Sequence, residues 1–104
     1  MRDPRVERIA ETEARFRDIN ERLRGDLEPL AGESEPVHFV CECGNPDCRD
    51  GVPLALGEYM AIRVNPLRFG VVPGHEIPEV ETVVERHDRY VVIEKPAEVA
   101  DVLS

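Results

Sequence analysis

Phe39-Val40-Cys41-Glu42-Cys43-Gly44-Asn45-Pro46-Asp47-Cys48 decides how this chain is read. The three cysteines of the protein fall in the pattern C-x-C-x4-C within eight residues. Residues 37–43 read as a strand, on which side chains two apart share a face, so Val37, Phe39, Cys41 and Cys43 point one way and His38, Val40 and Glu42 the other. Gly44-Asn45-Pro46-Asp47 is dense in turn formers and folds Cys48 back toward the first two sulfurs. Three converging thiols of odd count suit a metal better than disulfides.

A fourth ligand is expected at His75. Val72-Pro73-Gly74-His75 has the Pro and Gly placement of a type II turn, which delivers the imidazole in a fixed direction. His38 lies on the opposite strand face and His87 at a hairpin tip. The expected ligand set is therefore Cys41, Cys43, Cys48 and His75, a Cys3His site. Soft thiolates select Zn(II), Cu(I) or an iron–sulfur cluster, and Zn(II) is the expectation for a tetrahedral site in a small domain. Glu42, Asp47 and Glu76 are candidates to support the ligands, although charged residues beside turns are commonly just solvated. A closed four-ligand site contributes on the order of 10 kcal/mol to folding, so the region 37–75 should depend on its metal.

Working outward, Asp3-Pro4 has the capping and first-turn chemistry of a helix start. The helix is expected to run to about Arg24, with Gly25 as cap and Pro29 as stop. Val6, Ile9, Phe16, Ile19 and Leu23 recur at helical spacing, with Ala10 and Ala14 alongside, in a narrow apolar stripe. Acid-to-base pairs four apart, such as Glu11 to Arg15, lace the rest. The stripe could pack on its own chain or on a second copy. Residues 31–36 read as a linker and 37–95 as a zinc-binding α+β domain. Within it, Leu54 to Val64 suits a short helix ended by Asn65-Pro66, and Arg68 to Val72 a strand. Glu81 to Arg86 and Arg89 to Lys95 read as a hairpin about His87-Asp88, and residues 96–104 as a frayed tail. The fold class expected is α+β: a long N-terminal helix, then a small, mostly antiparallel sheet with an inserted helix and a metal site.

The 104 residues allow one modest core, built on aliphatic side chains because only 5% are aromatic and none is Trp. The formal charge is −9, and it is uneven: residues 1–30 hold eight acids and seven Arg, whereas the remainder holds fourteen acids and six bases. Three thiolates with Zn(II) would make the total −10. Such a surface is repelled by nucleic acid and by anionic membranes, so neither is expected as a partner. No aliphatic run approaches a membrane span, and Met1-Arg2-Asp3-Pro4 lacks the apolar stretch of a signal peptide, so a cytoplasmic protein is expected.

Known catalytic patterns are absent. There are no paired C-x2-C motifs, no H-E-x-x-H, no deaminase signature, no Walker loop and no G-x-G-x-x-G, and Ser34 and Ser104 sit in a linker and at the terminus. The expectation is a non-catalytic interaction or regulatory module, acting on a protein partner or on another copy through the N-terminal helix. The alternatives are a metal- or redox-responsive switch built on the cysteines, and a small metalloenzyme with an open fourth position.

The residues that follow resemble one group of proteins: Phe39-Val40-Cys41-Glu42-Cys43 with Cys48, Glu58-Tyr59, Arg68-Phe69, Val72-Pro73-Gly74-His75, and Val83-Val84-Glu85-Arg86 with Asp88-Arg89-Tyr90-Val91-Val92. They are similar to small uncharacterised actinobacterial proteins that carry a C-x-C-x4-C and P-G-H metal-binding motif and have no assigned activity. The likeness covers residues 39–95, with a weaker echo in Phe16 and Ile19-Asn20-Glu21-Arg22, and the twelve Arg against one Lys suit a GC-rich genome. It implies that the three cysteines and His75 form one site. The chain departs from the group at Ala55-Leu56-Gly57, where such proteins carry a Thr suited to capping, so the short helix is expected to start late or fray.

Overall fold

The computed structural model describes residues 2–30 and 34–104. Helix α1 spans Pro4–Leu27, with Asp3 Oδ1 accepting the Arg5 amide at 2.9 Å and Pro4 in the first turn, as the capping chemistry predicts. It runs through Gly25 to a cap at Glu28 rather than ending at Arg24, because Gly25 keeps a negative φ and nothing there reverses the chain. Ala31, Gly32 and Glu33 of the expected 31–36 linker lie outside the described residues; Pro36 already belongs to the next strand.

Strands β1 (Pro36–Val40) and β2 (Gly51–Ala55) form an antiparallel pair in which Phe39 faces Val52 and Val37 faces Leu54. The strand expected over 37–43 stops at Val40, and β2 was not anticipated, since Gly51 and Pro53 disguise its alternation. Pro53 is tolerated because β2 has a single strand neighbour. Helix α2 (Leu56–Arg63) follows at once, so the helix expected from Leu54 starts two residues later. Ala55 offers no capping side chain; Glu58 reaches back instead and accepts the Ala55 amide at 2.8 Å.

The second sheet is antiparallel with order β3-β5-β4: β3 is Arg68–Val71, β4 Thr82–Arg86 and β5 Val91–Glu94. The expected hairpin is β4–β5, closed by a bond from the His87 amide to the Tyr90 carbonyl. Val91, Val92 and Ile93 are all buried because β5 is central and covered on both faces. The edge strand β4 is mostly exposed and carries an irregularity between Val83 and Glu85, a feature that blunts further pairing.

The segment after Lys95 is not a frayed tail. A 3-10 turn (Ala97–Val99) and helix α3 (Ala100–Leu103) fold back on α1, burying Val99 and Leu103. Arg2 ties the ends together through Asp101 Oδ1 at 2.9 Å. The core joins these layers around the stacked rings of Phe39 and Tyr59, 4.4 Å apart, with Phe69, Leu54 and Ile62.

Helix α1 lies along its own chain on most of the stripe expected, with Val6 and Leu23 packed against the core, but the buried face is rotated away from Ile19. Ile9, Ala10 and Ala14 are buried as foreseen, yet Glu13 and Asn20 are the most deeply buried of the polar positions while Ile19 is 47% exposed. The buried face is thus centred on polar residues, which the rest of the fold must satisfy. None of the described helices is long and apolar enough to cross a membrane.

Candidate metal centre

The ten residues from Cys41 to Asp50 form the loop between β1 and β2. The Cys41 amide donates to the Asp50 carbonyl at 3.0 Å, extending the β1–β2 ladder by one step, and the Glu42 amide then donates to Gly70 of β3 at 2.9 Å. The chain crosses here from one sheet to the other. Cys41, Glu42 and Cys43 are consequently all buried, and strand alternation does not hold across them. Beyond Gly44, the Asn45 carbonyl accepts the Cys48 amide at 3.0 Å and Asn45 Oδ1 accepts the Asp47 amide at 3.0 Å, a tight Asx-type turn that folds Cys48 back.

The fourth side chain arrives from beyond β3. The His75 amide donates to the Val72 carbonyl at 2.9 Å and Gly74 has φ of +96°, as a type II turn requires. Two bonds fix this turn: the Val72 amide donates to Cys41 Sγ at 3.2 Å, and the Gly74 amide to Glu76 Oε1 at 2.8 Å.

The ligand atoms of Cys41, Cys43, Cys48 and His75 all lie within 4.8 Å of one another and could hold a metal ion. Both Cys41 Sγ and Cys48 Sγ stand 3.6 Å from His75 Nδ1. In a tetrahedral site with Zn–S of about 2.3 Å and Zn–N of about 2.0–2.1 Å, the sulfur–nitrogen edge is about 3.6 Å. The donor set and its spacing therefore fit a single ion.

The electrostatics of the protein groups point the same way. Hydrogen bonding between Cys41 and Cys43 holds the Cys41 thiol protonated well above its ordinary range and draws Cys43 down to about 5, while burial raises Cys48. One thiolate in such a cluster opposes the next, so full deprotonation of all three requires a cation among them.

Glu42, foreseen as a solvated or supporting carboxylate, is neither exposed nor idle. Its Oε1 accepts the Gly70 amide at 2.9 Å, its Oε2 accepts Asn20 Nδ2 at 2.9 Å, and Arg63 lies 3.4 Å away. Burial raises its pKa, and Arg63 and Asn20 oppose that shift. Asn20 also brackets Val40, donating to its carbonyl at 2.8 Å and accepting its amide at 2.9 Å. Helix α1, the cysteine loop, α2 and β3 are thus joined through the residue that separates Cys41 from Cys43. Glu76 supports the His75 turn, whereas Asp47 is exposed. His38 is exposed on β1, and His87 stacks on Tyr90 at 4.3 Å with Glu85 2.8 Å away; neither joins the cluster.

Sequence reasoning missed Asp50. Its Oδ2 lies 3.4 Å from His75 Nε2, the ring nitrogen turned away from the sulfurs. A carboxylate there favours the tautomer that leaves Nδ1 free to ligate. Its position just after Cys48, at the point where β2 pairs back on Cys41, was the available signal. Asp50→Asn should weaken metal affinity about tenfold, the lower end of such effects because this carboxylate is 62% exposed. Competition against a chromophoric chelator measures it; unchanged affinity would remove Asp50 from the site.

Comparison of the chain with protein-family models, with curated proteins and with solved structures finds no match. Fold and site together define a small α+β protein with a Cys3His cluster that could bind a metal.

Proposed function

We propose that this chain binds one Zn(II) through Cys41, Cys43, Cys48 and His75, that the ion is structural, and that the domain serves as a non-catalytic protein-interaction or regulatory module of the cytoplasm. The observation that carries the reading is the meeting of four soft or borderline donors, three of them buried, at the spacing of one tetrahedron. An iron–sulfur cluster would place several atoms between the thiolates and spread them further. Four protein donors leave no position for water or substrate, which argues against a metalloenzyme. When bound, the ion neutralises the mutual repulsion of the thiolates and pins the β1–β2 loop to the turn after β3. Kinship with the actinobacterial group is part of the same proposal.

Metal analysis of untagged protein purified without added metal, beside Cys43→Ser and His75→Ala, tests it. One zinc per chain, lost in both variants, is the expected result. Full occupancy in His75→Ala would remove His75 from the ligand set, and a different metal would overturn zinc. A second reading, a metal- or redox-responsive switch, is favoured by the partial exposure of His75 and Asp50 on one side of the cluster. Zinc that does not exchange would exclude it.

A further inference from the structure

Two clefts run end to end along α1. The first, about 570 Å³, lies between the N-terminal half of the helix and the cysteine loop, with Arg5, Arg8 and Arg15 lining it over a floor of Ile9 and Ile77. The second, about 350 Å³, continues from it through the shared Thr12, Arg15 and Pro46 into an apolar stretch of Phe16, Ile19 and Val40, with Arg49 at its edge. Glu11 is the one acid on either lining.

This concentration of positive charge stands out in a chain of net charge −9. Among the described residues, Arg2, Arg17, Arg24, Arg63, Arg68 and Arg86 are held in ion pairs, whereas Arg5, Arg8 and Arg15, like Arg22, Arg49 and Arg89, have no carboxylate partner, and only the first three converge with Arg49 on one cleft. The helix dipole at this end is already met by the Asp3 cap and Glu7, so the positive field along the cleft comes from the guanidinium groups of Arg5, Arg8 and Arg15 themselves. At the other end, Ile19 is open to solvent at 47% exposure. The wall opposite α1 is set by the cysteine loop: a Cβ on Gly44 would lie 2.6 Å from Ile9 Cγ2, so loop and helix are in close register.

We propose that this continuous cleft docks a protein segment that is acidic at one end and apolar at the other, its carboxylates against Arg5, Arg8 and Arg15 and its apolar side chains on Phe16, Ile19 and Val40. Arginine forks pair bidentately with carboxylates, and the apolar stretch supplies anchors. A nucleic acid is disfavoured, since the remainder of the molecule repels a polyanion and the apolar half offers nothing to a sugar–phosphate chain. The inference names the partner chemistry for the interaction reading above and rests on it, because the cysteine loop forms one wall.

The test is fluorescence anisotropy on the metal-loaded full chain, using a fluorescein-labelled peptide with a run of glutamates followed by leucine and phenylalanine, and the same peptide with glutamine for glutamate. Saturable, salt-sensitive binding of the acidic peptide alone is expected. The double variant Arg8→Glu/Arg15→Glu should bind at least tenfold more weakly, while Arg22→Glu/Arg89→Glu, exposed and elsewhere, should bind as the parent does. Absence of binding, equal binding by Arg8→Glu/Arg15→Glu, or tighter binding of a single-stranded RNA of similar length would overturn the proposal. So would a self-association, seen by sedimentation, that Arg8→Glu/Arg15→Glu abolishes, because the occupant would then be a second copy. Binding that persists after verified metal removal would leave the cleft standing and sink the structural-metal reading. Binding lost with the metal but indifferent to the two arginines would do the reverse.

Discussion

A chelator strong enough to strip the Cys3His site is expected to unfold the chain around residues 37–75 and to release α1 from it. Structural zinc in small domains contributes on the order of 10 kcal/mol, comparable to the whole stability of an ordinary domain. The loss should not stay local. Glu42 lies between two of the clustered cysteines and joins α1, α2 and β3 through Asn20, Arg63 and the Gly70 amide. When the cysteine loop lets go, that buried carboxylate loses its fixed partners, and the Val40–Asn20 bracket that seats the helix opens with it. Thermal melts by circular dichroism, with hydrogen exchange to locate the opening, should show a loss of the cooperative transition in the chelated protein and in Cys43→Ser. An unchanged melting temperature after verified metal loss would mean that the ion has no part in the fold.

The second large effect is expected at the buried trio Glu13, Glu81 and Lys95, which joins α1, the approach to β4 and the end of β5. Lys95 Nζ lies 3.1 Å from a carboxylate oxygen of each acid, and all three side chains are essentially inaccessible. Glu81 has further support from the Ile77 amide at 2.8 Å, whereas neither oxygen of Glu13 accepts a well-directed hydrogen bond. Burial, then hydrogen bonding with Glu81, raises Glu13 to about 9. At neutral pH Glu13 therefore keeps its proton in the fold.

That raised value fixes the sign of the pH dependence. Between about pH 4.5 and pH 9 the folded chain keeps a proton on Glu13 that the unfolded chain has released, so the contribution of this group to stability falls as pH rises through this window. A full proton corresponds to about 1.4 kcal/mol per pH unit, and burial shifts Glu42 in the same direction. Cys43, drawn down to about 5, contributes with the opposite sign over the same range, so denaturant unfolding at several pH values should show this decline in the parent relative to Glu13→Gln. Glu13→Gln, which imitates the protonated acid, should flatten it and be more stable than the parent at pH 8. Lys95→Met should cost about 3–5 kcal/mol, because it leaves buried negative charge without its counter-ion. A stability difference between Glu13→Gln and the parent that stays constant from pH 5 to pH 8 would show that Glu13 is ionised in the folded state.

Local chemistry made part of this molecule legible. The Asp3-Pro4 start, the type II turn at Pro73-Gly74, the β4–β5 hairpin and the convergence of three cysteines with His75 all follow from rules that act over a few residues. Errors arose wherever distant partners decided the outcome. Gly25 reads as a helix end until the surrounding turns continue through it, and β2 is invisible until β1 lies beside it. The segment 96–104 is too short to order alone and does so because α3 packs on α1, with Val99 and Leu103 buried in the core.

By itself, then, the sequence determined which donors could meet: cysteine spacing, strand and turn geometry and a Pro-Gly bend are local properties carried in the order of residues. Only the tertiary structure decided that Glu13, Asn20 and Glu42 are buried while Ile19 faces water, and that Asp50 stands behind His75. A polar group can be taken from solvent only where hydrogen-bond or charge partners from other elements meet it, and those partners lie far away in the chain.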